Sequence, residues 1–459
     1  LPQNLSSDTI AALITPQGQG AVGIIRISGP EALNCAGSVF RGKSLASLPG
    51  HSVVFGRIVD DKGRDLDEVL LTLFREPQSY TGEDVVEISC HGSHYILQEL
   101  LDLLYRHGAR PAQAGEFTRR AWLNGKLDLS QAEAVADLIA SETQAAHTLA
   151  INQLKGGIRD EIRELRTLLL DFCSLIELEL DFAEEDVEFA DRSKLLQLLA
   201  EVRLKIDRLL DSFVLGNAVR QGVQTVIAGR PNAGKSTLLN ALLGEDRALV
   251  SDIPGTTRDT VEERLNIHGI LFHLVDTAGI REARDQVEAM GIARSYEKIR
   301  QAAIVLYVYD QSTLGAEDLV RDLESLEANR ESIILVANKS DLPQVQAPPE
   351  LEAYVLSVCR VAARTGDGVV ELKQMLYDTV LGRSEFAPDS LGINARHRNA
   401  LTAARQELDA ADHGLRIQLE TDLIAQSLRR VLYHLGEVSG EISTEEILGN
   451  IFGKFCIGK

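Results

Sequence analysis

The chain is poor in cysteine, in aromatic residues and in net positive charge, and each shortage excludes a class of protein. Its 459 residues hold five cysteines (Cys35, Cys90, Cys173, Cys359, Cys456), scattered and never in C-x-x-C spacing. Such a set argues for a reducing compartment and against a disulfide framework or a thiolate zinc site. No run of eighteen apolar residues occurs, and the first thirty residues lack a basic stretch followed by an apolar core. Neither a spanning helix nor a secretory leader is read, and the expectation is a soluble cytoplasmic protein. A formal net charge of −21 argues against a broad basic surface for nucleic acid or for an anionic membrane. Any contact with nucleic acid must be local or shared with a partner. Proline is missing from 112–230 and again after Pro388, which leaves two long stretches free to be helical. The length suits two to four domains.

What is present centres on Gly229-Arg-Pro-Asn-Ala-Gly-Lys-Ser236, a G-x-x-x-x-G-K-[ST] stretch between a β-type run (Thr225–Ala228) and a helical run (Leu238–Leu243). Glycines let consecutive N–H groups, here those of Asn232, Ala233, Gly234 and Thr237, turn inward around phosphate oxygens at a helix N-terminus. Lys235 is expected to reach the β- and γ-phosphates and to act catalytically, and the Ser236 hydroxyl to ligate Mg²⁺. The competing reading is an ordinary glycine turn. Three further signals follow in the order a P-loop GTPase needs. Asp276-Thr277-Ala278-Gly279 ends a β-type run; Asp276 would hold Mg²⁺ through water and the Gly279 N–H would sense the γ-phosphate. Asn338-Lys339-Ser340-Asp341 ends another, and an aspartate there accepts the N1–H and 2-amino donors that guanine has and adenine lacks. Gly255-Thr256-Thr257-Arg258-Asp259 supplies a switch loop in which Thr257 completes the Mg²⁺ shell. The position after the D-x-x-G stretch is Ile280, which cannot orient an attacking water. Hydrolysis must therefore use another residue, another cation, or both. Asn232 offers a carbonyl oxygen beside the phosphates where a monovalent cation could sit in place of an arginine finger. Arg258, Arg281 and Arg284 are possible fingers, with surface charge the commoner role for each. Glu288 could orient water or be an ordinary helix-surface carboxylate.

Before this segment the pattern is mixed. β-type runs at Gly23–Ser28, Ser52–Val59, Val69–Phe74 and Val85–Ser89 alternate with an amphipathic helix near Tyr95–His107. Gly18-Gln-Gly-Ala-Val-Gly23 spells G-x-G-x-x-G, but a strand follows it where a dinucleotide site needs a helix, so it reads as a turn before an edge strand. Cys90, His91 and His94 lack a fourth ligand nearby and read as a loop. Stripes at Ile158–Ile176 and Leu195–Phe213 mark long helices. A helical pattern also runs through Leu401, Leu408, Leu415, Leu419, Leu423, Leu428 and Leu432. The acidic run Glu184–Glu188 reads as a solvated loop or helix start. The fold class expected is an α/β P-loop GTPase domain inserted in an all-α helical domain and preceded by an α+β domain. The boundaries fall at 1–118, 119–216, 217–383 and 384–459.

With those stretches placed, the chain resembles the tRNA-modification GTPase family MnmE, also called TrmE. Matches outside the GTPase part are Ser79-Tyr-Thr-Gly-Glu-Asp84, Gly115-Glu-Phe-Thr118, Leu123-Asn-Gly-Lys-Leu-Asp128 with Gln131-Ala-Glu-Ala134, and the terminal Cys456-Ile-Gly-Lys459. The resemblance implies that 1–118 binds a tetrahydrofolate derivative (5-formyl- or 5,10-methylene-) and dimerises. It implies a discontinuous helical domain carrying the CIGK end, and a GTPase domain activated by dimerisation with K⁺. Acting beside the flavoprotein MnmG, such proteins install an aminomethyl-type group at C5 of the wobble uridine, position 34, of certain tRNAs. Residue by residue, it implies Asn232 as the K⁺ ligand with Ser251, Ile253 and Thr256 shielding the ion. Ser236 and Thr257 fall on the Mg²⁺ ligands, and Glu288 on the water-orienting glutamate. Arg26, Glu87, Lys126 and Lys459 fall on folate contacts, positions that otherwise read as surface charges. Cys456 falls on the terminal cysteine, with a prenylation box as a poor competing reading. Guanine contacts fall on Ala362, Ala363 and Arg364, where Ala362 replaces the usual serine. Ser93 likewise replaces a second glycine after Cys90-His-Gly.

The rival reading is a ribosome-assembly GTPase acting as a nucleotide-switched RNA-binding module; no basic G-x-x-G clamp supports it. A mechanical membrane GTPase would need a basic or apolar membrane-facing segment, and none is visible.

Overall fold

The computed structural model describes residues 8–181, 192–244, 262–276, 297–326, 330–343, 354–381, 392–442, 445–453, 455 and 458. In chain order the first strands are β1 (Thr9–Leu13), β2 (Gly20–Ser28), β3 (Phe40–Arg41), β4 (Ser52–Val59), β5 (Asp65–Phe74), β6 (Val85–Gly92) and β7 (Ala109–Pro111), with helices α1 (Ala32–Val39) and α2 (His94–Arg106) between them. They form one sheet in the order β3-β4-β5-β6-β2-β1-β7. Alternation decides its faces. Leu71 lies beside Ile88 and Ile88 beside Ile25, all three fully buried against Leu100, Leu103 and Leu104 of α2. The adjacent row, Thr72, Glu87 and Arg26, faces the other way. β2 lies between β6 and β1, so the expected edge strand is an interior one. Along β2 the residues facing the helical core are buried and those between them, such as Ile24 and Arg26, are only partly covered, a pattern an edge strand shares.

The helices that follow are α3 (Glu116–Leu123), α4 (Leu129–Ala140), α5 (Gln144–Leu154), α6 (Gly157–Asp181) and α7 (Arg192–Gln221). The stripes read from sequence are buried: Ile162, Leu165, Leu169 and Ile176 on α6, and Leu195, Leu199, Val202 and Ile206 on α7, are each at most 1% exposed. The expected boundary at 216 lies inside α7.

The next strands are β8 (Val223–Ala228), β9 (Glu262–Ile267), β10 (Ile270–Asp276), β11 (Ile304–Asp310), β12 (Ile333–Asn338) and β13 (Ser357–Val361), accompanied by α8 (Lys235–Leu243), α9 (Ala316–Glu324) and α10 (Val369–Leu381). Their sheet has the order β13-β12-β11-β8-β10-β9, all parallel except β9. Its inner strands β8, β10, β11 and β12 are apolar on both faces, and β12 is buried at every position, as a sheet covered by helices on both sides requires.

Last come α11 (Ala395–Arg416), α12 (Thr421–Ser439) and α13 (Glu445–Phe452). The C-terminal helical pattern is broken where Gln418 takes φ 54°, leaving Leu419 and Leu423 exposed. α12 packs along α6. The described chain divides into two compact units: one of Leu1–Ile139, Gln153–Leu204 and Asn399–Lys459, the other of Ala140–Asn152 and Lys205–Arg398. The acidic run at 184–188 lies outside the described residues.

Candidate functional site

Parallel pairing puts the carboxyl ends of β8, β10, β11, β12 and β13 along one edge of the second sheet, and order reversal at β8 makes that edge a natural ligand crevice. β8 delivers the chain into Gly229 there. Gly229 has φ 141°, and a Cβ on it would lie 2.0 Å from the Val308 carbonyl oxygen; only glycine lets the loop pass so close. Asn232 (φ 62°) and Gly234 (φ 93°) are both left-handed, a geometry that gathers backbone N–H groups around an anion. α8 starts immediately after Gly234 and adds the partial positive charge of its N-terminus. Lys235 is 7% exposed and its Nζ donates to the Gly229 and Arg230 carbonyl oxygens, each at 3.0 Å. Those carbonyls hold the ammonium over the loop, where phosphate oxygens are better acceptors.

Ser236 Oγ donates to Asp276 Oδ2 at 3.2 Å. The P-loop hydroxyl and the carboxylate ending β10 are thus brought together, a hard-oxygen pair of the kind Mg²⁺ takes beside phosphate. On the other flank, Asn338 is 2% exposed and its Nδ2 donates to the Ala233 carbonyl at 2.8 Å. Its Oδ1 accepts from the Lys339 N–H at 2.8 Å and the Ala363 N–H at 3.1 Å. The N-K-x-D loop is therefore fastened to the phosphate loop and to the segment after β13. Ala362 and Ala363 are buried, while Asp341, Arg364 and Thr237 are exposed. Ser251, Ile253, Thr256, Thr257, Thr277, Ala278, Gly279 and Glu288 lie outside the described residues, as do Arg258, Arg281 and Arg284. β9 begins beside Val275, at Glu262.

Sequence reading missed two sets of residues here. Arg230 makes a two-point contact with Asp322 of α9, Nε to Oδ2 at 2.6 Å and Nη2 to Oδ1 at 2.9 Å, while Tyr307 OH donates to the same Oδ2 at 2.6 Å. The other set is Asp310, Gln311 and Ser312 at the end of β11. Arg230 stands at a variable position of the phosphate-loop motif, and Asp310, Gln311 and Ser312 belong to no motif. The one available signal was position, since a polar residue at the carboxyl end of a parallel strand faces the crevice.

In the first sheet, Arg26 and Glu87 are cross-strand partners joined at 2.8 Å, 17% and 21% exposed. The Arg26 guanidinium lies 5.0 Å from the Tyr80 ring centre and 5.5 Å from that of Phe117, which fixes its direction. Lys126 Nζ donates to the Pro77 carbonyl at 3.0 Å, and Asn124 Nδ2 to that of Thr81 at 2.7 Å. The Leu123–Lys126 turn thus clamps the segment that carries Tyr80. Lys459 and Cys456 lie outside the described residues. Gly458 packs against the end of β1, where a Cβ would meet the Leu13 carbonyl oxygen at 2.2 Å. Beneath this face Arg120 bridges Asp8, Glu83 and Glu116, and Arg110 joins Asp8 and Glu116. Burial alone would raise the Glu116 carboxyl, but the Arg110 hydrogen bond, the Gln113 N–H and both guanidinium charges outweigh it and hold it below 4.5. His91 Nδ1 pairs with Asp67 Oδ1 at 2.7 Å, and Cys90 is buried. Among the described residues no three such groups converge to hold a metal.

The phosphate turn, the hydroxyl–carboxylate pair beside it and the N-K-x-D loop fastened to it define a P-loop GTPase. The family model described as the GTP-binding protein TrmE N-terminus matches residues 9–126, and that of the MnmE helical domain matches 129–456. The chain is 51% identical to the tRNA modification GTPase MnmE of Cytophaga hutchinsonii, covering 99% of this chain and 98% of that one. It is 47% identical to that of Flavobacterium johnsoniae, covering 99% and 100%. Among solved structures, the G domain of the T. maritima FeoB iron transporter is similar at 29% identity, covering 34% of this chain and 98% of that one with a TM-score of 0.26. The chain belongs to the MnmE family of tRNA modification GTPases.

Proposed function

We propose that the chain is a potassium-stimulated GTP hydrolase that, as a cytoplasmic homodimer with an MnmG-type flavoprotein, modifies C5 of the wobble uridine (position 34) of certain tRNAs using a tetrahydrofolate one-carbon unit. The observation that carries this reading is the meeting of Ser236, Asp276, Ala233 and Asn338 at one sheet edge, where a guanine nucleotide would lie across the loops with Mg²⁺ at Ser236. Asn232 and the loop Ser251–Thr257 would hold K⁺, which supplies positive charge to the phosphates, and Glu288 would orient water. Arg26 and Glu87 fit a folate: an acceptor and donors side by side, each partly open, suit pterin donors and an anionic tail. Gly458 meets Leu13 at that end of the sheet, and Cys456 and Lys459 are kept as the proposed modification and folate residues. The domain reading remains a folate-binding, dimerising part at 1–118 and a GTPase part at 217–383 inserted between helical parts at 119–216 and 384–459.

The test is the GTPase rate against K⁺ and Na⁺ at several protein concentrations. A steep K⁺ response that grows with concentration is expected. Equal rates in the two salts, or K⁺ stimulation surviving Asn232→Ala, would remove the cation from the mechanism. In parallel, Arg26→Ala should abolish 5-formyltetrahydrofolate binding by the full chain; unchanged binding would remove the folate assignment.

A further inference from the structure

The carboxyl end of β11 carries no nucleotide-binding motif, yet it holds the loop that reads the base. Asp310 Oδ2 accepts from Lys339 Nζ at 2.6 Å, while its Oδ1 accepts from Ser312 N–H at 3.0 Å and Ser312 Oγ at 2.6 Å. Its side chain is 13% exposed. Burial pushes this carboxyl up, but Lys339 and Ser312 more than offset that and keep it below its usual range. Gln311, 4% exposed, donates its backbone N–H to the Asn338 carbonyl at 3.2 Å. Its Nε2 lies 3.4 Å from the carbonyl oxygens of both Lys339 and Leu342. Between those carbonyls the chain makes a tight turn, closed by Leu342 N–H to Lys339 O at 2.9 Å, with Lys339 itself left-handed at φ 63°. A non-glycine residue keeps that conformation only where its surroundings over-determine it. Asp341, at the tip of the turn, is exposed.

We infer that Asp310 and Gln311 are positioning residues for guanine selection: without touching the nucleotide, they lock the Lys339–Leu342 turn so that the Asp341 carboxylate stands in place before the base arrives. The inference rests on the reading that Asp341 accepts the guanine N1–H and 2-amino donors. An acceptor fixed in advance rewards a ligand carrying both donors over one carrying one; an acceptor on a loose turn loses that contrast.

The experiment compares Kd for GTP, GDP and ITP, which lacks the 2-amino group, with kcat and KM for GTP hydrolysis in the full chain. Asp310→Asn should raise Kd for GTP and GDP alike by about tenfold, the weight of one charge-assisted hydrogen bond. It should also lower the GTP-over-ITP preference several-fold while kcat at saturating GTP falls less than about twofold. Gln311→Leu should lower the same preference, and Asp310→Glu, which keeps a charge for Lys339, should fall between wild type and Asp310→Asn. Wild-type affinity and preference in Asp310→Asn would overturn the inference. So would a joint fall of kcat and thermal midpoint with the preference intact, which marks a structural role alone. Asp341→Asn serves as the reference: it exchanges an acceptor for a donor and should favour XTP, whose C2 carries a carbonyl. No shift toward XTP there takes down the base-site reading and this inference together. A shift there, beside an unchanged preference in Asp310→Asn, takes down this inference alone.

Discussion

Gly234 shows how little freedom the phosphate loop has. At φ 93° it is already in a region that side chains avoid, and a Cβ would lie 2.2 Å from Asn338 Nδ2. Alanine there must displace the amide that ties the N-K-x-D loop to Ala233. Gly234→Ala should therefore weaken GTP binding by at least about a hundredfold while leaving the fold intact; a fluorescent-nucleotide titration within tenfold of wild type would contradict this. Glu116 sets the other case. Its side chain is 6% exposed and it shares Arg120 with Asp8 and Glu83. Removing it leaves buried guanidinium charge short of a partner, so Glu116→Ala should cost about 3–5 kcal/mol in denaturant unfolding. Because the folded-state pKa lies below the ordinary 4.5, its contribution is complete above that pH and is lost as pH falls through the lower value. The acid limb of the stability curve should be shallower in the variant; a superimposable limb would show that Glu116 carries none of it.

At the scale of elements, periodicity predicted the long helices well and their allegiances poorly. Ala146 and Leu149 lie on α5, far ahead of the nucleotide segment in sequence, yet they belong to the same hydrophobic core as Ile227, Leu238 and Phe272. Glu142 pairs with Arg264 of β9 at 2.7 Å, and Ala145 sits under the β9–β10 turn at Gly269. A helical stripe says which face is buried and nothing about what buries it, so α5 reads like its neighbours. The same limit hid Asp310 and Gln311, whose work depends on which strands lie side by side. The P-loop and N-K-x-D stretches were legible as motifs because each is local: a short run of residues shapes its own backbone into one loop. Leu149, 3% exposed, gives the element-scale test. Leu149→Ala should destabilise the GTP-binding unit by about 2–5 kcal/mol, read as a lower melting midpoint that GTP partly restores. A midpoint unmoved both with and without nucleotide would mean that α5 is not part of that core.

For the whole molecule, a net charge of −21 leaves tRNA a local footing or one shared with a partner, so the proposed assembly needs a surface to form on. The outer face of the first sheet offers a place for it. Val53, Phe55 and Leu70 are 61%, 64% and 47% exposed, and Phe55 pairs with Leu70 across β4 and β5. Thr72 lies between Val53 on one side and Glu87 on the other, and Glu87 is beside Arg26. An apolar patch thus runs directly into the pair assigned to folate. A second copy covering the patch would remove that apolar area from water and exclude solvent from the folate pair. Phe55→Asp places a charge in the middle of such a contact while burying nothing new in the monomer. The expected outcome is half the mass by light scattering at micromolar concentration and a thermal midpoint little changed at this exposed position. Affinity for 5-formyltetrahydrofolate should fall, because the same face lies open. If the proposed homodimer forms through this face, GTP hydrolysis in K⁺ should become more steeply dependent on protein concentration in the variant. An unchanged mass with unchanged folate affinity would place the contact between copies elsewhere on the chain.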